Sequence, residues 1–479
     1  MLRLFNTASR RVEEFQPIAP PKVGLYTCGP TVYLDAHIGN FRTYVFEDVL
    51  LRALRMEGYE VRRVLNVTDV GHLVGDGDDG EDKVHKAAIA SGKTAWDIAK
   101  TYTDLFLADA KMLNIEIPDA PYLSFATAHI PEQIEIVERL EKNGFTYRTS
   151  DGIYFDTSKF PDYGRLSGQK LEDKLAGARV EVGEKRHATD FALWKFSYPN
   201  GVDRKAYVLT LLADMEPAPA RQMEWGSPWG IGFPGWHIEC SAMARKYLGQ
   251  PFDIHCGGID HVPVHHENEI AQSEAAYGVP LAKVWMHTEF LSIDGQKMSK
   301  SLKNIYTVRD IAEKGFDPMA LRLFYLGAHY RQKQNFTFEA LQASQNALVK
   351  LRQIARDLPA LGGAEPDAGA MDGFRAAIED DLNTSVAVAE LWKALDEIMD
   401  PAVKAATVIA MDGVLGLGLA EIVGHAVEVP SDVAALVEKR LQARADKDWA
   451  ASDRLRDEIA ALGWVVEDGK EGAKVHPKG

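Results

Sequence analysis

Cysteine is scarce in this chain, and long apolar runs are missing. Three cysteines occur among 479 residues, too few for a disulfide framework, which favours a reducing compartment. No apolar stretch reaches the length of a membrane span, and the opening MLRLFNTASRRVEEF lacks the apolar core of a secretory signal. We therefore expect a cytoplasmic protein without a membrane segment.

Positive charge is also in short supply. Lys and Arg number 54 against 70 Asp and Glu, and the net charge is −16. This balance excludes a uniformly basic nucleic-acid binder as the default interpretation. A local basic cluster still allows contact with RNA phosphates, because salt-dependent phosphate binding is a local matter.

The order of the predicted elements indicates an α/β fold. The first segment alternates between strand-like runs (VGLYTCGPTVY, VRRVLNVTDV) and a helical pattern (FRTYVFEDVLLRALRMEGY), which favours a Rossmann-like, doubly wound parallel sheet. Residues 120–228 are rich in Gly, Pro, Asp and Tyr, which is typical of an inserted α+β connective domain. The strand–helix pattern then resumes, and a helical bundle and a small C-terminal α/β domain follow.

A polar tetrapeptide, His37-Ile38-Gly39-Asn40, lies between a predicted strand and a predicted helix. The amides at a helix N-terminus favour phosphate, and Gly39 allows a close approach. His37 and Asn40 can donate hydrogen bonds to phosphate oxygens. The alternative is an ordinary helix cap.

A basic pentapeptide, KMSKS at 297–301, follows a hairpin signal at Asp294-Gly295. Lys297 and Lys300 would be mobile cations that stabilise a departing pyrophosphate. A solvated basic loop is the alternative, and it is the commoner fate of two nearby lysines.

The two motifs together, in this order on an α/β chain, resemble those of class I aminoacyl-tRNA synthetases. Within that class the chain resembles cysteinyl-tRNA synthetase over essentially its full length. The other segments that carry the resemblance are YTCGPTVY, NVTD, GARVEV, DFALWK, SPWG, PGWHIECSAM, DIHCGG, HHENEIAQSEAA, DDLNT and KDWAASDRLRDEIAALGWVVEDG. The resemblance implies a two-step reaction, in which cysteine and ATP form cysteinyl-adenylate and the cysteine then passes to the 3′ end of tRNA(Cys).

The resemblance also implies one zinc ion, which would select cysteine by binding its thiol. The implied ligands are Cys28, Cys240, His265 and Glu269. Residues four apart share one helix face, which suits His265 and Glu269, and all four side chains are plausible zinc donors. Spacing alone would allow core cysteines and a polar helix start instead.

Further site residues follow from the same resemblance. The implied catalytic residues are His37, Asn40, Lys297 and Lys300. The implied ATP-binding residues are His37, Gly39, Asn40, Gly257, Gly258, Asp260, Met298 and Lys300, with Mg²⁺ arriving on the ATP. The implied cysteine pocket consists of Thr31, Thr68, Trp236 and His255. A core aromatic is the alternative for Trp236.

The implied domains run in the following order. They are the first half of the Rossmann catalytic domain at 1–119, the connective insertion at 120–228, the second half at 229–293, the KMSKS stem-contact region at 294–316, the helical-bundle anticodon-binding domain at 317–425 and the anticodon-reading domain at 426–479. The implied partners are tRNA(Cys), ATP and L-cysteine, and we expect a monomer. Basic and aromatic side chains of the tail can contact RNA, but the same residues suit an ordinary charged helix, so anticodon contacts are not assigned.

Some segments depart from the family pattern. An acidic segment at 75–82 follows NVTD and is interpreted as an exposed loop near the site. Residues 200–223 add length to the insertion, and Cys256 replaces a usual glycine, which we interpret as a packing residue. These departures leave open whether the chain is a housekeeping enzyme or a diverged paralogue.

Three other functions compete with this identification. A mycothiol-type ligase would join cysteine to an amino-sugar and would lack the last domain, whereas the tail and DDLNT favour tRNA. A non-catalytic RNA-binding paralogue need not keep both ATP motifs and all four ligands. A zinc hydrolase is disfavoured because HExxH is absent.

Overall fold

The structure is a computed structural model, and it describes residues 1–71, 88, 90, 92–168, 184–210, 220–299, 301–425, 429–469 and 472–477. Lys300, the acidic segment 75–82, the GARVEV segment at 177–182 and part of the segment 200–223 lie outside the described residues. Within the described part of the chain, no helix combines the length and the apolar character that crossing a membrane requires.

The bounds of the elements are as follows. The strands are β1 Arg3–Asn6, β2 Arg11–Glu14, β3 Lys22–Thr27, β4 Glu60–Val67, β5 Leu123–Phe125, β6 Thr146–Arg148, β7 Gly152–Phe155, β8 Phe191–Phe196, β9 Trp225–Ser227, β10 Gly230–Pro234, β11 Phe252–Gly258, β12 Ala282–Thr288, β13 Leu291–Ile293, β14 Gln334–Phe336, β15 Trp464–Gly469 and β16 Gly472–Pro477. The helices are α1 Ile38–Met56, α2 Ala95–Met112, α3 Ile130–Lys142, α4 Arg204–Thr210, α5 Trp236–Leu248, α6 His265–Tyr277, α7 Val308–Glu313, α8 Pro318–Leu326, α9 Phe338–Asp357, α10 Ala368–Glu379, α11 Thr384–Glu397, α12 Pro401–Leu415, α13 Ser431–Ala445 and α14 Trp449–Ala461.

A parallel sheet with the strand order β12-β11-β3-β4-β5 forms the centre of the first part of the chain. Its inner strands are buried, as in Leu25 and Tyr26 of β3, which are fully buried. Helix α1 connects β3 to the parallel strand β4, so the chain forms the expected strand–helix–strand unit. In such sheets ligands bind at the carboxyl ends of the strands, and the ends of β3 and β11 are neighbours here.

A second, antiparallel sheet has the order β6-β7-β8-β10-β9. Its strands run from Thr146 to Pro234, whereas the sequence places the insertion at 120–228. Strand β5 pairs in parallel with β4, and β10 pairs with β8. These pairings join segments that are distant in the sequence, and local composition carries no signal for them.

The insertion is attached to helix α6 by buried hydrogen bonds. The Glu267 carboxylate accepts from the amides of Gly164 at 2.8 Å and Ser167 at 3.0 Å. The Tyr163 hydroxyl donates to Asn268 at 2.5 Å. One face of the first two turns of α6 is therefore fixed by the insertion.

The chain divides into two units. The first unit comprises Met1–Ile311, Ala328–Phe336 and Ala376–Thr384, and the second comprises Ala312–Gly327, Thr337–Arg375 and Ser385–Gly479. The second unit is mostly helical, and Asp317 caps the start of α8 by accepting from Met319 N. The fully buried Arg322 donates to the Leu415 carbonyl at the end of α12.

The C-terminal part of the second unit packs α13, α14 and the β15–β16 hairpin around Val433, Val437, Ile459 and Val466. The predicted fold class is confirmed: a doubly wound parallel sheet carries an inserted α+β domain and is followed by a helical bundle and a small α/β domain.

Candidate functional site

Four buried donor side chains meet beside the carboxyl end of the parallel sheet. Cys28 directly follows β3, Cys240 lies on α5, and His265 and Glu269 lie one turn apart on α6. Their ligand atoms all lie within 4.8 Å of one another. The structure thus brings together the four residues that the sequence assigns to zinc, although they are spread over 242 positions (269 − 28 + 1). We call them the donor cluster.

The charges within the donor cluster suit a cation. Burial raises the pKa of Glu269, but His255 and His265 outweigh burial, so that the pKa falls to about 2. Burial also raises the pKa of Cys240, but its hydrogen bond with Cys28 and the nearby His265 lower it to about 6. These shifts favour a carboxylate at Glu269 and a thiolate at Cys240 in a buried site, and a metal requires deprotonated donors of this kind.

One carboxylate oxygen of the donor cluster lies close to a histidine nitrogen but accepts no hydrogen bond of normal geometry. His265 Nε2 is 3.0 Å from Glu269 Oε1, yet that buried oxygen accepts no hydrogen bond of normal geometry from any described group. Orphaned buried oxygens are costly. Two thiols, one imidazole and one carboxylate that converge in this way fit the tetrahedral donor set of zinc.

Two further histidines contact the donor cluster, and a third contacts one of them. His255 Nε2 lies 3.1 Å from Glu269 Oε2, and His266 Nε2 lies 3.3 Å from Cys28 Sγ. His266 Nδ1 is also 2.7 Å from Nε2 of His287. His255 and His266 form an alternative donor group with Cys28 and Glu269. Such outer partners orient metal ligands.

The sequence reasoning missed His266, which contacts Cys28, and His287, which contacts His266. The doubled histidine in HHENE was a usable signal for His266. His287 lies on β12, and the sequence around it offers no comparable signal.

Two of the proposed cysteine-pocket residues, Trp236 and His255, contact the donor cluster. The Trp236 ring stacks on His265, with ring centroids 4.4 Å apart and an interplanar angle of 29°. Thr31 and Thr68 face each other in a parallel bridge beyond the strand ends. Thr68 is buried and its hydroxyl accepts from Asn66.

The HIGN tetrapeptide begins helix α1 with a reciprocal cap. Asn40 N donates to His37 Nδ1 at 3.2 Å, and His37 N donates to Asn40 Oδ1 at 3.0 Å. Since His37 Nδ1 is an acceptor, the neutral ring carries its proton on Nε2. Burial lowers the pKa of His37, which favours that neutral form. The cap interpretation and the donor interpretation are therefore compatible.

The loop that carries KMSKS lies over HIGN. A Cβ on Gly39 would be 2.2 Å from Met298 Cε, so a side chain at Gly39 would displace the Met298 side chain. The predicted hairpin is present, with φ of 48° at Asp294 and 75° at Gly295. Lys297 is exposed.

Asn304 fixes this loop and was missed by the sequence reasoning. Its Oδ1 accepts from Ser299 N at 2.9 Å, and its Nδ2 donates to the Lys297 carbonyl at 3.2 Å.

The two glycines after DIHC allow close packing at the end of β11. A Cβ on Gly257 would be 2.6 Å from His261 Nδ1, and one on Gly258 would be 2.3 Å from Asp260 Oδ1. Side chains are therefore excluded where the strand ends beside the site.

Comparisons with known proteins define the class. Residues 14–208 and 210–346 match the family model described as "tRNA synthetases class I (C) catalytic domain". The methionyl-tRNA synthetase of Mycobacterium tuberculosis in complex with methionyl-adenylate has a TM-score of 0.53 at 16% identity and covers 90% of this chain and 96% of its own. The ternary complex of Agrobacterium radiobacter LeuRS with tRNA and LeuAMS has a TM-score of 0.55 at 12% identity, with 85% of each chain covered. The fold and the matched domain define a class I aminoacyl-tRNA synthetase.

The particular family follows from the rest of the chain. Residues 426–475 match "Cysteinyl-tRNA ligase anticodon binding domain". Cysteine--tRNA ligase 1 of Burkholderia lata is 50% identical over 475 residues, covering 99% of this chain and 96% of the relative. The cysteine--tRNA ligases of Treponema denticola and Thermus thermophilus are each 41% identical, with at least 98% of each chain covered. The chain belongs to the cysteine--tRNA ligase family. The predicted resemblance is confirmed, and the substrates of this enzyme class are tRNA, ATP and an amino acid.

Proposed function

We propose that the donor cluster binds one Zn²⁺ ion, and that this ion selects L-cysteine for activation by ATP before transfer to tRNA(Cys). The observation that supports it most strongly is the convergence of four buried donor atoms within 4.8 Å in a chain of this family. Cys28, Cys240, His265 and Glu269 would hold the ion. When bound, zinc supplies a thiophilic Lewis acid that lowers the pKa of a coordinated thiol.

Selection by a metal answers a discrimination problem. Cysteine and serine differ by sulfur for oxygen, and a shape-fitting pocket separates near-isosteres by only about 10². A soft thiolate is a far better ligand than a hydroxyl. The residues of this chain contribute by keeping the site dry and by orienting the ligands, as His255 and His266 do with Glu269 and Cys28.

The cysteine substrate itself would lie against Trp236 and His255, with Thr31 and Thr68 at the adjoining strand ends. Trp236 stacks on the ligand His265, so its ring closes the pocket beside the metal. This arrangement would present the substrate carboxylate towards the carboxyl edge of the sheet, where ATP binds in folds of this kind.

ATP activation is assigned to the HIGN and KMSKS residues. The cap fixes the His37 proton on Nε2, where it can donate to a phosphate oxygen, and Asn40 lies in the same first turn. Lys297 and Lys300 would neutralise the departing pyrophosphate, with Met298 packed on Gly39. Gly257, Gly258 and Asp260 would lie against the adenosine, at the carboxyl end of β11 where ligands of such sheets bind.

No protein nucleophile is required in this mechanism. The substrate carboxylate attacks the α-phosphate of ATP, and pyrophosphate leaves. The terminal ribose hydroxyl of tRNA then attacks the adenylate carbonyl and releases AMP. The protein contributes binding, orientation and charge stabilisation, and Mg²⁺ arrives with the ATP.

The C-terminal domains are assigned to tRNA binding. The helical bundle and the C-terminal domain, with the bounds given above, would bind the anticodon end of tRNA(Cys). The enzyme would act as a monomer in the cytoplasm.

The test compares two cysteines in one chain. Cys240→Ser removes a donor, and we expect both bound zinc and cysteine-dependent ATP–pyrophosphate exchange to be lost. Cys256→Ser is the matched control, because Cys256 is also buried but belongs to neither donor group. It should keep one zinc per chain and most of the activity. Full cysteine-dependent exchange by a zinc-free preparation would refute the proposal.

A further inference from the structure

Three contacts hold the segment 297–311, which we call the KMSK segment, against the start of helix α1. Met298 packs on Gly39. The first amide of the helix, Ile38 N, donates to the Tyr306 carbonyl at 2.8 Å. The third contact, an ion pair at Arg309, differs from these two because it joins charged side chains from three separate elements.

Arg309 lies between two aspartates that belong to the other side of the contact. Its Nη2 donates to Asp35 Oδ1, two residues before the HIGN tetrapeptide. Its Nη1 lies 3.5 Å from Oδ1 of Asp109, which is on α2 and has a side chain only 1% exposed. Asp35 is 40% exposed and Arg309 26% exposed, so this pair is partly shielded from water.

The positive charge of Arg309 stabilises the ionised form of buried Asp109 more than that of the exposed Asp35. Burial raises the pKa of Asp109 to about 6, against the opposing effect of Arg309. A buried carboxylate without a cation is costly. The guanidinium has a planar fork that can face two carboxylates at once, whereas a lysine ammonium is a single point charge.

Hydrogen bonds within the described residues of the KMSK segment stabilise the start of helix α7 and the loop that carries Lys297. Helix α7 starts at Val308 and its first turn is capped by Asp310, which accepts from Thr307 N at 2.7 Å. The hydrogen bonds of Asn304 to Ser299 and Lys297 brace the loop internally. These bonds constrain the described residues on either side of Lys300, from Lys297 to Ser299 and from Asn304 to Asp310.

We propose that Arg309 is a positioning residue for cysteine activation, which bridges Asp35 and Asp109 and thereby holds the KMSK segment in register with HIGN. The inference rests on the proposed function, because it assumes that the lysines of this segment act on the phosphates of ATP. Arg309 itself touches no reacting group. It acts through the placement of the loop that carries Lys297.

The experiment measures ATP–pyrophosphate exchange without tRNA by the full-length, zinc-loaded enzyme. We expect Arg309→Gln to lower kcat by about 10- to 100-fold, since a misplacement of about 1 Å can have an effect of that size. The KM for cysteine and the bound zinc should stay within two-fold of the wild-type values, because the donor cluster is not touched. Arg309→Lys should recover part of kcat, and Asp35→Asn should add little loss in the Arg309→Gln background.

A matched control separates positioning from loss of stability. Arg352 pairs with Asp317 in the second unit and has a similar exposure, 18% against 26% for Arg309. Arg352→Gln should lower Tm to a comparable extent and leave exchange unchanged. An Arg309→Gln enzyme with wild-type kcat and a similar loss of Tm would overturn the positioning role.

A further variant distinguishes this inference from the proposed function. Lys297→Ala at full exchange rate would overturn the assigned role of Lys297, and with it the basis for Arg309. A slow Lys297→Ala enzyme beside a fully active Arg309→Gln enzyme would overturn the Arg309 inference alone.

Discussion

The buried carboxylate of Asp381, in the DDLNT segment, offers a sharp test of how the first unit is held together. Asp381 is 2% exposed and accepts through Oδ1 from Phe5 N and from the Tyr330 hydroxyl, both at 2.7 Å. Its Oδ2 accepts from Arg331, with Nε at 2.7 Å and Nη2 at 2.6 Å. Asp381→Asn can keep the two Oδ1 bonds, but it sets an amide NH₂ against the guanidinium.

The expected cost follows from the bonds that are lost. A hydrogen bond to a charged group contributes about 1.5–3 kcal/mol, and two parallel bonds from one guanidinium are not additive. Arg331 is 36% exposed and its guanidinium also lies 4.4 Å from the Phe5 ring centroid, so solvent and the ring replace part of the loss. We expect about 2–3 kcal/mol, or a fall in Tm of about 3–5 °C for a unit of this size. The backbone adds little, since Asn tolerates the φ of 57° at this position.

The assay is a double-mutant cycle followed by calorimetry or urea unfolding. In an Arg331→Met background the opposing guanidinium is absent, so Asp381→Asn should cost less than about 1 kcal/mol. Bound zinc should not change in any of the variants. Equal costs of Asp381→Asn in both backgrounds would refute the reasoning, because the loss would then not depend on Arg331.

Two further predictions concern α1 and the segments around it. Gly39→Ala should slow ATP–pyrophosphate exchange by at least about ten-fold, because the new Cβ would lie 2.2 Å from Met298 Cε and displace that side chain. The control is Gly413→Ala, which lies in a helix with nothing within 4 Å of the new Cβ and should be fully active. Equal activity of the two variants would contradict the close packing of Met298 on Gly39. Burial outweighs Arg63 and raises the pKa of Glu47 from 4.5 to about 8, so the folded state binds the extra proton and stability should fall as the pH rises towards 8. Glu47→Gln should flatten that fall between pH 6 and pH 8 in urea midpoints, and an unchanged slope would show that Glu47 is not its source.

Much of the site could be predicted from the sequence because its signals are local. The spacing of His265 and Glu269 places both on one helix face, Asp294-Gly295 marks the hairpin, and HIGN lies at a helix start. Each of these depends on backbone periodicity or turn chemistry over a few residues. The same holds for the strand–helix alternation that predicts the parallel sheet.

Other features were out of reach because they join distant segments. His287 reaches the donor cluster only through His266, from a neighbouring strand. Arg309 and Asp35 are 274 positions apart, and nothing near either residue marks the other as its partner. The partners of β5 and β10 were also out of reach, because each strand pairs with one that is distant in the sequence.

The sequence by itself determined which chemical groups this protein has and on which kinds of elements they lie. The cysteines, the histidine and the carboxylate of the proposed zinc site, and the two short motifs proposed to bind ATP, are properties of residue type and spacing. The tertiary structure alone decided that these groups meet. The folded surroundings then shift the pKa of each group. Burial raises the pKa of Glu269, but the neighbouring His255 and His265 outweigh burial and favour its ionised form. The short distances between the donor atoms, and the removal of their side chains from water, exist only in the folded chain. The donor cluster depends on both.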